Sequence, residues 1–349
     1  MIRNILITGA GGYIGGSLAT EFATQKDGPI KDAKIYAAVR SKGQAKSASV
    51  PGLEMLQLDC GDLEAVKDVI LNNHIDMVIH AASSMVASYS QNLLEALGER
   101  RKQSSQEVYF IQAILTAFTD MGGWHYGQCK DSDTEIFAKE KGIGDAHPTD
   151  ILIVEQSKAL GVKSFILPAP SVYGRGTGNW RKLSVSIPQY IRTSMRMKQV
   201  YKFPEDAAPT AAHISDLVSL YKLLVAKILL GETPPANENG YYFPFAHRIP
   251  WHKTMDILAK VMHARGLVNS PNVEIWPSYE QAADEYGFPR QFIRAMGTSS
   301  GDIVTEKPFE LGWKPQWDEK KYLESIDQEV QDVLELDSGK ASVFDALMK

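Results

Sequence analysis

The stretch from Asn4 to Ala19 constrains this chain more than any other. Ile5, Leu6 and Ile7 form a short apolar run with the pattern of a buried strand. Gly9, Gly12 and Gly15 follow at regular spacing, and Ile14, Leu18 and Phe22 then share one helical face. The glycines therefore fall in a strand-to-helix turn and in the first turn of the helix. A residue without Cβ lets the chain turn sharply and lets a phosphate group approach the main chain. The helix start adds unpaired N–H groups and a positive dipole end.

Strand and helix patterns alternate after this turn. Strands are expected at Lys34–Val39, Leu53–Leu58, Met77–Ile79, Val108–Leu115 and Phe165–Leu167. Helices are expected after Asp62, a plausible cap, over Leu93–Arg100 and over Ile151–Leu160. The alternation predicts an α/β fold, a doubly wound, Rossmann-type, mostly parallel sheet. Beyond Pro168 the texture changes. A glycine-rich loop at Gly174–Asn179 precedes helices at Ile187–Met197, after a cap at Ser215 or Asp216, and at Thr254–Met262. A strand is expected at Tyr241–Phe245, and a last helix from Asp318. We read residues 1–175 as the domain of this sheet and its glycine turn, which also receives the helix at 214–230, and 176–349 as mainly a smaller lobe; the family that the motifs named below resemble implies a dinucleotide-binding role for the first and a substrate-binding role for the second.

The 349 residues suffice for a large core, and the formal net charge of -5 leaves no basic excess to neutralise nucleic-acid phosphates. Cys60 and Cys129 give neither a disulfide framework nor metal-ligand spacing, and no metal is expected. The first strand begins almost at Met1, leaving no room for a signal peptide, and no apolar run reaches the length of a membrane span. These readings lead us to expect a cytoplasmic monomer or homodimer with a small-molecule substrate and no membrane or nucleic-acid partner. The chain has no Gly-x-Ser-x-Gly elbow and no Gly-Lys-Ser/Thr phosphate loop.

The spacing Thr8-Gly9-x-x-Gly12-x-x-Gly15 resembles the glycine turn of the extended and atypical short-chain dehydrogenase/reductases, the NAD-dependent epimerase/dehydratase-like family. Pro168-Ala-Pro-Ser-Val172-Tyr-Gly174, His213-Ile-Ser-Asp216 and Leu311-Gly-Trp-Lys-Pro315 resemble later segments of extended members, although Leu167 stands where they carry an arginine. The resemblance implies that Thr8, Gly9, Gly12, Tyr13, Ile14 and Gly15 cradle a pyrophosphate. It also implies that Asp59 contacts adenine, and that Pro168 and Val172 lie near the nicotinamide. Ala81 and Ala82 are small where the fourth strand would meet the cofactor. Arg40 ends the second strand, where an acidic residue would bind the ribose of NAD and an arginine can pair with the 2′-phosphate of NADP. Lys42 and Lys46 lie nearby, so NADP(H) is the expected cofactor and NAD(H) the alternative.

The catalytic set departs from the family. Its members use a Ser or Thr after the fifth strand and a Tyr-x-x-x-Lys pair on the next helix, four residues apart and so on one face. Counting back from Ile166-Leu167-Pro168 reaches His147–Ile151, which holds neither residue. Thr116 and Thr119 are the hydroxyls near the fifth strand. One Tyr-x-x-x-Lys occurs earlier, at Tyr126 and Lys130, in a stretch that reads as loop. Tyr126, Lys130 and Thr116 are the candidate catalytic residues. Three functions stay open: an NAD(P)H-dependent oxidoreductase acting on a small organic substrate with a non-standard catalytic set; a non-redox epimerase, dehydratase or cyclase; and a non-catalytic cofactor sensor.

Overall fold

The computed structural model describes residues 4–115 and 117–336. Six strands form the central sheet: β1 (Asn4–Thr8), β2 (Lys34–Val39), β3 (Leu53–Gln57), β4 (Met77–His80), β5 (Tyr109–Ile114) and β6 (Lys163–Pro168). Their order is β3-β2-β1-β4-β5-β6, and every pairing is parallel. The chain winds outward from β1 to β3, then returns to place β4 on the other side of β1. The crevice at that reversal is where such sheets bind dinucleotides.

Alternation along each strand sends side chains to opposite faces. Leu6, Val78, Phe110 and Ile166 face α3 (Leu63–Asn72), α4 (Ala87–Ser104) and α6 (Pro148–Leu160), meeting Val66, Ile70, Leu93, Leu97 and Ile153. Ile5, Ile7, Ile79, Ile111 and Phe165 face α1 (Tyr13–Ala23) and α8 (Ile214–Leu229), meeting Leu18, Phe22, Leu217 and Leu224. A third apolar cluster gathers residues from Tyr173 onward on α7 (Ser186–Met197), α9 (Trp251–Ala264), α10 (Tyr279–Tyr286), α11 (Glu319–Glu324) and α12 (Ile326–Leu336).

The expected elements form, with three corrections. The cap of α8 is His213, whose ring nitrogen accepts from Ser215 N–H; Asp216 is buried and instead accepts from the N–H groups of Gln316 and Trp317. Tyr241–Phe245 is not a strand: Tyr241 makes one parallel bridge to Ile166, and the Asp131 carboxylate takes the Phe243 N–H. The last helix is two, broken at Ser325, with Asp318 capping the first.

A polar corner is buried where α5 (Ile136–Gly142) meets α6. Glu140, His147 and Asp150 are all nearly inaccessible. Glu140 Oε1 lies 2.7 Å from His147 Nδ1, Tyr241 donates its hydroxyl to Oε2, and Asp150 bonds the same carboxyl. Burial pushes the Glu140 carboxyl up to about 7 and pushes His147 down. A neutral acid donating to a neutral imidazole satisfies both groups without an uncompensated buried charge. The His147 ring packs edge-on against Phe118, just beyond β5, so this corner braces the loop that leaves the central sheet.

Glu140→Gln keeps the hydrogen-bonding shape and removes the titration. The native state holds a proton that the unfolded chain releases between about pH 4.5 and 7. Stability from Glu140 is therefore fullest below that window and falls as pH rises through it, by up to about 1.4 kcal/mol per pH unit. His147 is hydrogen-bonded to Glu140, so the difference between the two proteins reports the titration of the coupled pair. Denaturant unfolding should show wild type losing stability relative to Glu140→Gln between pH 5 and 8; a constant difference would contradict a neutral Glu140.

Candidate dinucleotide site

The β1–α1 turn is held by backbone contacts that exclude side chains. Gly9 has φ +69°, and a Cβ there would fall on the Ala81 carbonyl and come within 2.7 Å of the Ala82 Cα. A Cβ on Gly15 would strike the Gly9 carbonyl. Gly12 N–H closes the turn onto Gly9 O at 2.7 Å. Gly12 differs from the other two: its φ is -92°, and an added Cβ would meet only the Gly9 carbonyl, at 3.1 Å. Gly9 and Gly15 are needed by the fold, whereas a side chain at Gly12 has one tight contact, the Gly9 carbonyl, which would have to give by a few tenths of an ångström. No acidic residue occupies the first turn of α1, and the first N–H groups of a helix, here those of Tyr13 and Ile14, have no intrahelical acceptor.

Thr8 does not face this groove. Its hydroxyl is buried and bonded to His80 Nδ1 at 2.6 Å, joining the ends of β1 and β4; burial holds His80 neutral, its pKa down at about 4. Thr8 thus supports the turn from beneath. Ala81 is half-buried and Ala82 exposed beside Gly9, which leaves the close approach their size allows. Ile14 packs its side chain into the core under α1.

Arg40 follows β2 directly and is exposed. Its N–H donates to Gln44 Oε1, and Ser41 caps α2 (Lys42–Ala48) by accepting from Gln44 N–H. Lys42 and Lys46 are exposed on the same short helix. The Arg40 side chain makes no ion pair among the described residues. Asp59 is exposed at the end of the neighbouring strand, where one carboxylate oxygen closes a turn by accepting from Gly61 N–H at 2.9 Å. Pro168 ends β6, and Ala169 N–H returns to Ile114 O, tying the ends of β5 and β6 together. Val172 is half-buried in the short strand Ser171–Tyr173 and packs on the α1/α8 side of the core. Tyr173 is fully buried with its hydroxyl on His247 Nε2, a packing role.

The catalytic candidates are not assembled as a helical pair. Thr116 lies outside the described residues. Tyr126 is in a loop, its ring against Trp124 and His125, with its hydroxyl close to Gly142 at the end of α5. Lys130 lies in the two-residue strand Cys129–Lys130, paired with Ile303–Val304, and its Nζ is 3.4 Å from Glu306 Oε1. The spacing of four has meaning only on a helix, and neither residue is on one; Glu306 provides the lysine charge with a partner. Thr119 is buried and shares a hydrogen bond with Ser299. The helix expected to hold the family pair is α6, and its start is occupied by the His147–Glu140–Asp150 corner.

Two features were not read from sequence. Ser84 accepts from Leu115 N–H at 3.2 Å, putting a hydroxyl between the ends of β4 and β5; its cue was a second serine after His80-Ala81-Ala82-Ser83. The buried corner offers three possible ligand atoms within 4.8 Å of one another. Its Glu140–His147 contact of 2.7 Å is shorter than the roughly 3.3 Å between co-ligands of a tetrahedral ion with bonds of 2.0–2.1 Å, and is that of a hydrogen bond. Among the described residues, no helix is long and apolar enough to cross a membrane.

The profile of the NAD dependent epimerase/dehydratase family matches residues 5–104. No curated protein matches the chain by sequence. Several solved structures are similar over nearly their whole length. A UDP-glucose 4-epimerase with UDP-glucose from Thermotoga maritima is 13% identical, with a TM-score of 0.64, 99% of this chain and 100% of that one being covered. A dTDP-glucose 4,6-dehydratase from Bacillus anthracis in complex with NAD is 13% identical, with a TM-score of 0.65 and coverage of 97% and 98%. An L-threonine dehydrogenase from Cupriavidus necator, in its holo form, is 16% identical, with a TM-score of 0.59 and coverage of 93% and 99%. At these identities the likeness is one of fold, and it extends over nearly the whole chain. Residues 5–104 thus match the NAD dependent epimerase/dehydratase family, and the chain as a whole shares the fold of these epimerase, dehydratase and dehydrogenase structures.

Proposed function

We propose that this protein is a nicotinamide-dinucleotide enzyme that transfers hydride to or from a small organic substrate, with NADP(H) as its preferred cofactor. The observation that carries the cofactor reading is the turn itself. Gly9 and Gly15 are fixed by backbone contacts, a Cβ at Gly12 would meet just the Gly9 carbonyl, and the start of α1 carries no acidic residue. That combination favours a pyrophosphate. NAD is named in the Bacillus anthracis dehydratase complex, so the preference for NADP(H) rests on this chain's own Arg40, with Lys42 and Lys46 beside it.

The chemistry follows from what the described residues do not offer. No Tyr/Lys pair faces the ends of β4, β5 and β6, and Tyr126 and Lys130 are engaged elsewhere. Reduction of a simple ketone develops an alkoxide that needs a proton donor, whereas an activated alkene or iminium presents a carbon already electrophilic enough to accept hydride. A conjugated or cationic acceptor therefore suits this site. Ser84 provides a hydroxyl near the sheet edge for orientation. The second reading, an epimerase, dehydratase or cyclase without net redox, draws on the epimerase and dehydratase among the similar structures.

Three measurements test this reading. Gly12→Asp should fold, because Gly12 is an extended N-cap, a position that suits Asp, and its Cβ would press on one carbonyl alone, yet abolish NADPH binding by placing a carboxylate against the pyrophosphate; unchanged affinity in calorimetry would refute the site. Wild type should bind NADPH about one to two decades more tightly than NADH, the worth of a charge-assisted phosphate contact, and Arg40→Asp should erase the preference. Equal affinities in wild type would refute the assignment of Arg40. Turnover of the substrate with NADPH deuterated at C4 should consume cofactor and label the product, and Tyr126→Phe should stay within about threefold of wild type. Turnover without label or consumption would favour the non-redox reading, and a loss of about two decades in Tyr126→Phe would restore that residue as the proton donor.

A further inference from the structure

The backbone at Gly174 joins the cofactor turn to the last helix of the fold. Gly174 has φ +89°, and a Cβ there would run into the His213 ring, which is stacked on Trp317 with centroids 4.0 Å apart. Only glycine fits, and its backbone has little freedom to reorient. The Gly174 carbonyl accepts from the Tyr13 hydroxyl at 2.7 Å, and the Gly174 N–H donates to Glu329 Oε1, also at 2.7 Å. Tyr13 is the first residue of α1, and Glu329 is on α12.

The contacts continue along the same segment. Arg175 Nη1 lies 3.3 Å from Asp332 and 3.4 Å from Glu335, further along the α12 face that carries Glu329. Thr177 N–H donates to Ser17 Oγ, and Ser17 in turn donates to the Tyr13 carbonyl. A Cβ on Gly178 would come within 2.8 Å of the Gly16 backbone, and Asn179 donates to Ser49 O just past α2. The glycine-rich segment 174–179 is thus a strap. It lies along the first turns of α1 and is fastened by α12 at one end and the end of α2 at the other.

We propose that Glu329 is a positioning residue for the dinucleotide: its carboxyl fixes Gly174 through the N–H, and the carbonyl on the other side of the same Cα holds Tyr13 and with it the pyrophosphate-facing start of α1. The proposal rests on the dinucleotide reading of the Gly9 turn. Its physical ground is the burial of Glu329 on α12, where Asp332 is the other buried carboxylate. Ile326, Val330 and Val333 are buried beside it, and an apolar residue would pack there without the cost of burying a carboxyl. What an apolar residue lacks is an acceptor for the Gly174 N–H. Burial, with Asp332 nearby, pushes the Glu329 carboxyl up to about 7, and the Gly174 N–H bond works against that rise. An amide oxygen serves the same purpose as the carboxyl.

The test is calorimetric titration of NADPH into the full chain, with thermal unfolding alongside. Glu329→Ala should weaken binding about tenfold, whereas Glu329→Gln, which keeps an acceptor oxygen, should stay within about threefold of wild type. Tyr13→Phe should weaken binding about as much as Glu329→Ala. The double variant should be no weaker than the weaker single one, because both act through one residue, Gly174, whose two flanking peptides are held by His213 and the positive φ. Wild-type affinity in Glu329→Ala, failure of Glu329→Gln to rescue, or additive losses would each overturn the proposal. If Glu329→Ala does not fold, Tyr13→Phe decides: full affinity there overturns the relay. A wild type that binds neither NADPH nor NADH refutes the dinucleotide reading and this proposal with it; a wild type that binds, with variants that bind equally well, refutes the relay alone.

Discussion

The close approach of main chain to main chain at the first turn is the constraint on which the rest of this structure depends. Gly9 lies against Ala81 and Ala82, Gly15 against Gly9, and Gly16 against Gly178. Two of the contacts bring together elements distant in sequence, β1 with the end of β4 and the strap with α1, and the third seats α1 on the end of β1. A methyl group at any of these points would wedge two elements apart. The glycines thus set both how tightly α1 lies on the sheet and where its free N–H groups point. The buried Thr8–His80 hydrogen bond locks the same strand ends from below.

The sequence made most of this legible because the informative signals are local. Apolar runs and helical stripes located all six sheet strands to within a few residues, and Asp62 caps α3 as expected, accepting from Ala65 N–H. Where reading failed, the deciding partner was remote. Tyr241–Phe245 has strand-like composition, but its backbone groups are taken by Ile166 and the Asp131 side chain, so no ladder forms. Asp216 looked like a cap and is instead a buried acceptor for a turn 100 residues on. Tyr126 and Lys130 matched a spacing whose meaning depends on a helix that this stretch does not form.

The same distinction separates the legible part of the site from the rest. A glycine turn is written in consecutive residues and carries its own geometry. The groups that shape the surroundings come from far apart: Glu140 with His147 and Tyr241, Ser84 with Leu115, Glu329 with Gly174. Glu329 did leave a trace, as a carboxylate among Ile326, Val330 and Val333, and a charge on a buried stripe invites a search for its partner. The start of α6 left a weaker one, in a histidine and an aspartate three residues apart where a tyrosine and a lysine were sought.

The central claim is that one ligand, a dinucleotide, sits on the turn and beneath the strap. Hydrogen exchange of backbone amides, followed with and without saturating NADPH, tests it most directly, because it reports where the ligand acts whatever the substrate. The account predicts slowed exchange in two separate segments, residues 9–16 and 174–179, with a smaller effect around Arg40. Calorimetric binding of NADPH that leaves both segments unprotected would contradict it.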